Sequence, residues 1–373
     1  MELSENKKRL LVVSNTLSGG GAERFASTLL SHLDRDMFEP SLCLMHKEIS
    51  YPLPEDVCLT ILGKEKPWHI VRTILRLRQV IQQIRPQILL STIAYITRMT
   101  AIAIRRNRLR SRFVARIADN PSFDANGWLK YLINPWNRHA YAQVNRLITN
   151  SEGLALGVKS SYPFAEGRIH TIYNPTDFEF IDQLSQQPFD LLHDSDIPVV
   201  ISVGRLDNQK RPDVLLESFA QVRRHTPAVL WICGDGPLRE KTSRDIAARG
   251  LGDSVKLLGF QQNPYALMRQ ATVFVMTSDH EGLPNALIEA QGLGIPAVST
   301  RCPYGPDEII EDGKTGILVN VGDSRAIAEA IEGLLTNPQR RKEMAEAARN
   351  RARSLFDKST LIKAWEDVLM ERS

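Results

Sequence analysis

Cysteine and long apolar runs are both scarce in this chain. The 373 residues include four cysteines, at positions 43, 58, 233 and 302, and none belongs to a CxxC pair. This spacing argues against a zinc site and fits free thiols in a reducing compartment. No apolar run reaches the roughly 18 residues that a membrane helix needs. The opening segment is apolar only from Leu10 to Val13, which is too short for a signal peptide, so we expect a cytoplasmic protein.

The sequence motifs that mark common nucleotide-binding proteins are missing as well. No Gly-x-Gly-x-x-Gly fingerprint occurs, which disfavours a nicotinamide oxidoreductase, and the glycine-rich loop at Ser18–Glu23 is not followed by the Lys-Ser/Thr of a P-loop. Aromatic residues make up 7% of the chain and do not alternate with the basic residues. No helix-turn-helix or zinc-finger spacing appears, so we expect no nucleic-acid partner.

Positive charge is concentrated in the first half of the chain. Residues 1–180 contain 24 Lys and Arg but only 16 Asp and Glu, whereas the whole protein has a net charge of +4. Seven of these arginines lie between Arg98 and Arg116. One interpretation is a solvated helix face and loop. The other is attraction to anionic lipid headgroups, which predicts a peripheral protein on the inner face of the cytoplasmic membrane.

The order of apolar and amphipathic segments predicts an α/β protein with two doubly wound, Rossmann-like domains. Short buried strands such as Arg9–Asn15 and Pro198–Val203 alternate with amphipathic helices such as Ile70–Ile84, a pattern typical of parallel sheets. We expect domains at residues 1–182 and 197–355, with a final helix at 356–373 that packs back on the first domain. Ligands of such sheets bind at the carboxyl ends of the strands, which places a cleft between the two domains.

Two loops between a predicted strand and the next helix have the composition of phosphate-binding loops. In the first, Gly20 and Gly21 let the backbone approach a ligand at a helix start, although an ordinary tight turn is the alternative. In the second, Gly204 and Arg205 follow a strand, and Lys210 comes close behind. Arginine and lysine together suit a diphosphate, with a basic surface turn as the alternative.

The most informative segment is Glu281–Glu289, EGLPNALIE, which follows the predicted strand Thr272–Met276. Pro284 stands where the first turn of a helix tolerates proline, so the nearby amides point out of a helix start that favours a phosphate. One carboxylate can then reach sugar hydroxyls and the other a ribose. The alternative is an acid favoured by the helix dipole followed by an exposed helix glutamate.

Taken together, these motifs resemble glycosyltransferase family 4, a family of retaining enzymes with the two-domain GT-B fold. The resemblance rests on the order of several segments across nearly the whole chain; in chain order they are SGGGAER, YNPTD, GRLDNQKRP, GDGP, LLGF, EGLPNALIE and EIIEDGKTGILV. Within the family, GGGAER and CPYGPDEI are similar to enzymes that build bacterial surface polysaccharides and lipid-linked oligosaccharides.

The resemblance implies a role for each matching residue. Arg205 and Lys210 would bind the donor diphosphate, and Glu281 would hold hydroxyls of the donor sugar. Glu289 would bind the ribose of a nucleotide sugar, which we expect to be linked to uridine diphosphate. The remaining donor contacts would come from Gly20, Gly21, Gly204, Gly259, Phe260, Gly282, Leu283, Pro284 and Asn285.

The acceptor side departs from the family pattern. Many relatives place a histidine at the reacting centre, but the corresponding stretch, Arg116–Asn120, contains none. Asp119 and Asn120 are the candidates there, and no general base is assigned. We expect no metal, because the Asp-x-Asp at Asp34–Asp36 follows a helix rather than a strand. A nucleotide-sugar epimerase or hydrolase and a non-catalytic carbohydrate-binding protein are the alternatives to a transferase.

Overall fold

A computed structural model describes residues 7–64, 69–105, 111–118, 129–189 and 196–371. The chain divides into two compact units. The first comprises residues 1–175 and 358–373, and the second comprises residues 176–357. Each unit has its own parallel sheet and its own hydrophobic core, as the alternation of strands and helices predicts.

The first unit is built on a seven-stranded sheet in which every pair of neighbours is parallel. Its strands are β1 Lys8–Ser14, β2 Phe38–Leu44, β3 Cys58–Ile61, β4 Ile88–Ser91, β5 Arg112–Ile117, β6 Arg146–Thr149 and β7 Ile169–Thr171, in the spatial order β3-β2-β1-β4-β5-β6-β7. Its helices are α1 Gly21–His32, α2 Ile70–Ile84, α3 Ala94–Ile104, α4 Leu129–Ala142, α5 Glu152–Ser161 and, from the end of the chain, α14 Lys358–Met370.

The core of the first unit explains why the last helix belongs there. Leu10 and Val12 of β1 are fully buried, as a central strand covered on both faces requires. Trp365 of α14 is 0% exposed, and its ring centroid lies 4.8 Å from that of Phe25 in α1. An aromatic pair of this kind stabilises the packing by about 0.5–1.5 kcal/mol beyond the area that it buries.

The second unit contains a six-stranded parallel sheet. Its strands are β8 Val199–Val203, β9 Val229–Cys233, β10 Val255–Gly259, β11 Val273–Met276, β12 Ala297–Thr300 and β13 Gly316–Val319, in the order β10-β9-β8-β11-β12-β13. Its helices are α6 Phe178–Ser185, α7 Pro212–His225, α8 Arg239–Ala248, α9 Tyr265–Met268, α10 Asn285–Gly292, α11 Pro306–Ile309, α12 Ser324–Thr336 and α13 Pro338–Leu355.

The boundary between the units differs from the sequence-based one. The expected first domain extends to residue 182, but residues 176–182 belong to the second unit. The reason is the packing of α6: a Cβ on Gly292 of α10 would meet the ring of Phe178 at 2.1 Å, so helix and ring are in close contact. Likewise the final helix begins at Lys358 rather than 356, and Phe356 is fully buried within the second unit, where its carbonyl accepts from Thr176 N.

The strand order determines where a ligand can bind. In the first sheet the order reverses between β1 and β4, and in the second it reverses between β8 and β11. Ligands of open parallel sheets bind beside the carboxyl ends of the strands at such a reversal, because the two adjoining loops separate there. The loops after β8 and β11 contain Lys210 and Glu281 respectively.

Candidate active site

The central feature of the second unit is an ion pair between the two loops at the reversal point. Lys210 Nζ donates to Glu281 Oε1 at 2.5 Å, and Ser278 Oγ donates to the same oxygen at 2.6 Å. Glu281 is only 6% exposed. Its second oxygen, Oε2, has no hydrogen-bond partner among the residues that the structure describes. The carboxylate is therefore fixed by one oxygen and has the other available for a ligand hydroxyl.

The two loops are also joined directly by one backbone–backbone hydrogen bond and by side-chain hydrogen bonds to backbone carbonyls. Asp279 N donates to the Gln209 carbonyl at 2.8 Å, and Gln209 Nε2 donates to the His280 carbonyl at 2.8 Å. Thr277 Oγ1 donates to the Lys210 carbonyl at 2.8 Å. These bonds set the distance between Lys210 and Glu281 before any ligand arrives, which is the preorganisation that electrostatic catalysis requires.

The two arginines near Lys210 differ in their surroundings. Arg205 has a 69% exposed side chain and forms an ion pair with Asp207, 3.4 Å away. Arg211 instead donates to Asp213 and Asp279 at 2.9 and 3.0 Å, respectively, contacts that raise its pKa and lower the pKa of Asp213. Arg211 is therefore held by carboxylates, whereas Arg205 and Lys210 line one small cavity of about 20 Å³.

The segment GDGP packs against the loop that contains Arg205, a contact that the sequence motifs did not reveal. A Cβ on Gly234 would lie 1.8 Å from the Gly204 carbonyl oxygen, and φ of Gly234 is +149°, so only glycine fits. Leu206 N donates to the Asp235 carbonyl at 3.0 Å, and Leu238 N donates to the Leu206 carbonyl at 2.9 Å. The segment GDGP thus supports the predicted phosphate loop.

The segment CPYGPDEI packs against EGLPN in a similar way. Gly305, in CPYGPDEI, has φ +92°, and a Cβ there would lie 2.7 Å from the Gly282 carbonyl oxygen. Glu281 N donates to the Pro303 carbonyl at 2.7 Å. Leu283 and Pro284 are buried. Pro284, where the sequence predicts the helix to begin, is instead the N-cap of α10, so Asn285 is the first helical residue.

The remaining predicted donor residues are placed as follows. Glu289 lies in the second turn of α10 and is 3% exposed, which excludes the exposed helix glutamate that was its alternative. Gly259 ends β10, and the Phe260 side chain after it is 51% exposed. Their contacts with a ribose and a base stay predictions. In the first unit, Gly20 is the N-cap of α1 and Gly21 its first residue.

The first unit has a buried polar cluster at its own reversal point, which the sequence did not single out. Arg116 is 1% exposed; its Nη2 donates to Asn174 Oδ1 at 2.7 Å, and its guanidinium carbon lies 4.4 Å from the centroid of the Phe25 ring. Burial lowers the pKa of Arg116 to about 10, and nearby Glu23 opposes that shift. Glu23, whose carboxylate folds back over Gly20, has a pKa raised by burial.

Glu23 and Asn174 lie within two of the motifs on which the family resemblance rests, but that resemblance assigns them no role. Glu23 is the acid of SGGGAER, and Asn174 is the amide of YNPTD. A polar residue inside each of two motifs that flank the same predicted sheet is the signal that could have pointed to them. For Ser278 the sequence offers a weaker indication of a role in the site, namely its position three residues before Glu281 in the same loop.

Part of the arginine-rich stretch is not a surface patch. Arg116 lies in the core, and the side chain of Arg112 is 9% exposed, because both belong to β5 and point to a covered face of the sheet. Arg112 and Arg116 therefore belong neither to a solvated helix face nor to a lipid-binding patch. Arg106, Arg108 and Arg110, like Asp119 and Asn120, lie outside the described residues.

Neither a metal site nor a membrane-spanning helix is found in the part of the chain that the structure describes. No three His, Cys, Asp or Glu side chains are grouped so as to hold a metal ion there. The Asp-x-Asp segment precedes β2, and Asp34 N donates to Glu366 of α14 at 2.8 Å. No described helix combines the length and apolar character that crossing a bilayer requires.

Two family models match the chain in succession. Residues 19–180 match the glycosyltransferase family 4 model, and residues 185–351 match the model of group 1 glycosyl transferases. The first match lies mostly in the first unit, whereas the second lies wholly within the second unit and includes both Lys210 and Glu281.

Similar proteins carry related names. A Campylobacter jejuni N-acetylgalactosamine-N,N'-diacetylbacillosaminyl-diphospho-undecaprenol 4-alpha-N-acetylgalactosaminyltransferase is 26% identical over 97% of this chain and 98% of its own length. The lipopolysaccharide core biosynthesis glycosyltransferase LpsE of Rhizobium meliloti is 32% identical, over 48% of this chain and 51% of its own.

Solved structures share the fold. Anabaena HepE in complex with UDP-glucose superposes with a TM-score of 0.82 at 20% identity, covering 97% of this chain and 99% of that one. Sucrose-phosphate synthase from Thermosynechococcus elongatus superposes with a TM-score of 0.79 at 15% identity, covering 97% of this chain and 98% of that one. With two Rossmann-like parallel-sheet units of the GT-B type and two successive family matches over most of its length, the chain belongs to glycosyltransferase family 4.

Proposed function

We propose that this glycosyltransferase moves a hexose or N-acetylhexosamine from a uridine-diphosphate sugar to a lipid-linked or polysaccharide acceptor of the cell surface, with retention of configuration. The observation that supports it most is the Lys210–Glu281 pair at the reversal point of the second sheet. A cation and an acid that binds hydroxyls, side by side, suit a sugar diphosphate. The names of the similar proteins support the acceptor class, and the UDP-glucose in the HepE complex supports the donor.

The proposed chemistry follows from where charge develops. As the bond between the sugar and the diphosphate breaks, negative charge builds on the leaving diphosphate. Lys210, Arg205 and the first amides of α10 stabilise that charge, an effect that is usually the largest catalytic contribution. Because these groups are protein cations and helix amides, we propose that no metal ion is needed.

Glu281 acts in this proposal as a ligand for the sugar and not as a nucleophile. Its Oε1 already accepts bonds from Lys210 and Ser278, so a covalent sugar ester would have to form at Oε2 in competition with hydroxyl binding. The acceptor hydroxyl attacks instead from the face that the diphosphate leaves, and a diphosphate oxygen takes the proton. Configuration is then retained without an enzymatic nucleophile, unlike the double displacement of retaining glycosidases.

The two units take different roles in the proposal. The second unit binds the donor, with Glu289 on the ribose and backbone near Gly259 and Phe260 at the base. The first unit binds the acceptor, with Gly20 and Gly21 near the reacting groups and Asp119 and Asn120 as acceptor-side candidates. Its basic character brings it to an anionic membrane surface on the cytoplasmic side.

A donor and acceptor screen tests the proposal. The purified protein is incubated with radiolabelled nucleotide sugars, starting with uridine-diphosphate sugars, with and without extracted lipid-linked oligosaccharides, and with EDTA in a parallel set. We expect label to move to the lipid fraction, to keep the anomeric configuration of the donor, and to be insensitive to EDTA. Release of free sugar or of an epimer alone, whatever the acceptor, would instead identify a hydrolase or an epimerase.

A further inference from the structure

Three basic side chains lie at the amino edge of the first sheet, the edge opposite to the glycine-rich loop. Arg112 is the first residue of β5, Arg146 is the first residue of β6, and His170 lies in the short strand β7. Because these strands are parallel and adjacent, their starts lie at the same edge. None of the three residues belongs to a motif on which the family resemblance rests.

The register of the strands directs all three side chains to one face of the sheet. Arg146 pairs with Val114, which lies two residues after Arg112. His170 pairs with Ile148, which lies two residues after Arg146. Residues two apart on a strand share a face, and so do paired residues of neighbouring strands. Val114 and Ile148 belong to the same core cluster as the apolar residues of α14, so the basic side chains lie on the face that α14 covers.

The carboxylate of Glu371 reaches this basic cluster but fits it loosely. Glu371 directly follows α14, and its Oε2 lies 3.3 Å from Arg146 Nε and 3.6 Å from Arg112 Nη2. Strong hydrogen bonds between a guanidinium and a carboxylate are about 2.7–2.9 Å long and are often bidentate. A single oxygen of Glu371 therefore lies near both arginines at distances longer than the optimum.

The guanidinium of Arg112 is the least satisfied group of the cluster. The side chain is 9% exposed, and none of its three nitrogens has a hydrogen-bond partner among the residues that the structure describes. His170 Nε2 is likewise buried without a partner in that part of the chain. Buried N–H groups of a charged side chain are strongly unfavourable when they are unpaired, so an anion that accepts from them would bind with a gain in free energy.

The charges of the cluster repel one another. Burial, followed by the charge of Arg146, lowers the pKa of Arg112 and also that of His170, and Glu371 opposes both shifts. These directions are those expected where cations are crowded in a poorly solvated place and one carboxylate only partly compensates them. The cluster therefore favours additional negative charge.

A phosphoryl group has the oxygens and the charge that this cluster favours. A phosphate monoester presents three acceptor oxygens and about two negative charges near neutral pH, and arginine forks match it well. Glu371, in contrast, places one oxygen between the two arginines. Its side chain is 45% exposed and lies beyond the last residue of α14, so it can move aside while the helix stays in place.

We propose that Arg112 and Arg146, with His170 beside them, form an effector site for a phosphoryl anion, either free phosphate or a small phosphate monoester, and that Glu371 occupies this site until the anion displaces it. The site lies at the opposite edge of the sheet from Gly20 and Gly21, so its anion does not compete with ligands at the carboxyl edge. Because the anion binds the folded first unit, it stabilises that unit. The inference goes beyond the proposed function and does not depend on it.

Thermal unfolding of the full-length protein with inorganic phosphate tests the site. The melting temperature is measured near neutral pH against phosphate concentration, with sodium chloride keeping the ionic strength constant, and in parallel with methyl phosphate and with acetate. We expect phosphate to raise the melting temperature of the wild type in a saturable way, whereas acetate, a carboxylate like that of Glu371, leaves it unchanged. An equal response to methyl phosphate would identify a monoester site, and a weaker one a site for free phosphate.

Two variants should change phosphate binding in opposite directions. Glu371→Gln removes the competing carboxylate and should lower the apparent dissociation constant for phosphate about 10-fold, whereas Arg146→Gln removes a donor and should raise it about 10-fold. A purely structural ion pair predicts something else: both variants would lose stability, and neither would bind phosphate more tightly. The gain in Glu371→Gln therefore cannot be mistaken for the effect of misfolding.

The chain offers a matched control for each variant. Asp367→Asn removes a carboxylate one turn earlier on α14, where it pairs with Lys363. Arg9→Gln removes an exposed arginine from the same edge of the sheet but from the other face, since Leu10 next to it points into the core that α14 covers. Both controls should bind phosphate as the wild type does.

Three results would overturn the proposal. Phosphate and acetate would change the melting temperature of the wild type equally, or Glu371→Gln would bind phosphate no more tightly than the wild type. The third result concerns the loop after β8: the response to phosphate would be lost in Lys210→Gln and kept in Arg146→Gln, which would place the bound phosphate in the second unit. We expect the reverse, a response that Lys210→Gln keeps and Arg146→Gln weakens.

Discussion

The reversal points of the two sheets have opposite designs. In the second unit, Lys210 and Glu281 lie on loops that are joined by hydrogen bonds to backbone carbonyls, and the Lys210 side chain stays 27% exposed. In the first unit the corresponding cation, Arg116, is 1% exposed and is bound to Asn174 beneath the glycine-rich loop. In our proposal, Lys210 thus serves a ligand, whereas Arg116 serves the fold.

This difference has a physical basis in what each sheet binds in our proposal. A diphosphate is small and invariant, so a rigid pair of loops with a fixed cation suits it. Acceptors are larger and vary, so the first unit supplies a glycine-rich loop that lies over the buried polar cluster around Arg116. Burial of a charged arginine side chain is unfavourable in free energy. Here it is offset by the hydrogen bond to Asn174, by the contact with the Phe25 ring and by attraction to the nearby Glu23.

The largest expected effect is on the second unit. Glu281→Ala should lower kcat by at least about 100-fold, the scale for losing one transition-state contact. Glu281→Gln should retain part of the activity, because an amide still hydrogen-bonds a sugar hydroxyl. The measurement is initial-rate kinetics with the best donor from the screen. Glu346→Ala, at an exposed position of α13, is the control, and equal rates for it and Glu281→Ala would remove Glu281 from the site.

The next effect is on the stability of the first unit. Arg116→Met leaves Asn174 Oδ1 without its donor, so the free energy of unfolding should fall by about 1–3 kcal/mol, while the affinity for UDP stays unchanged. Thermal unfolding and UDP titration measure the two quantities. Arg105→Met, at an exposed position after α3, is the control. A loss of UDP affinity in Arg116→Met without a change in stability would reverse the roles that we assign to the two cations.

The smallest effect concerns pH and Glu23. Its pKa in the folded protein is raised by burial above the value of 4.5 that it has when unfolded, so the folded state binds more protons in the window above 4.5. The contribution of Glu23 to stability is therefore full below that window and is lost as the pH rises through the folded-state pKa.

Glu23→Gln has no such dependence, so the variant should gain stability relative to the wild type between about pH 4 and pH 7. Melting temperatures measured across this range test the sign. Glu39→Gln, on the exposed part of β2, should show no trend. A difference that shrinks with rising pH would mean that attraction to Arg116 outweighs burial.

The fold and the two loops that contain Lys210 and Glu281 were largely predictable because they depend on local patterns. Helix α2 begins and ends at the predicted Ile70 and Ile84, since an amphipathic stripe and Pro86 set its limits. Lys210 and Glu281 come together, as their motif order implies. The boundary near residue 175 was missed because it depends on where Phe178 packs, which is a tertiary contact.

The buried cluster was not predictable in the same way. The arginine density from Arg98 to Arg116 indicated exposed charge, but composition does not say which face of a strand is covered. Arg112 and Arg116 alternate with Phe113 and Ala115 along β5, and both faces of a central strand are buried. The partner of Arg116, Asn174, is 58 residues away, so only the folded sheet shows that the two meet.

The position of α14 has a consequence for how the protein is made. Trp365 completes the core of the first unit, yet the ribosome reaches it only after the whole second unit has been synthesised. During translation the second unit can fold first. The apolar surface around Phe25 in the first unit remains exposed to solvent until α14 has been made. A nascent chain of this enzyme should therefore need chaperone protection at its beginning for longer than at its middle.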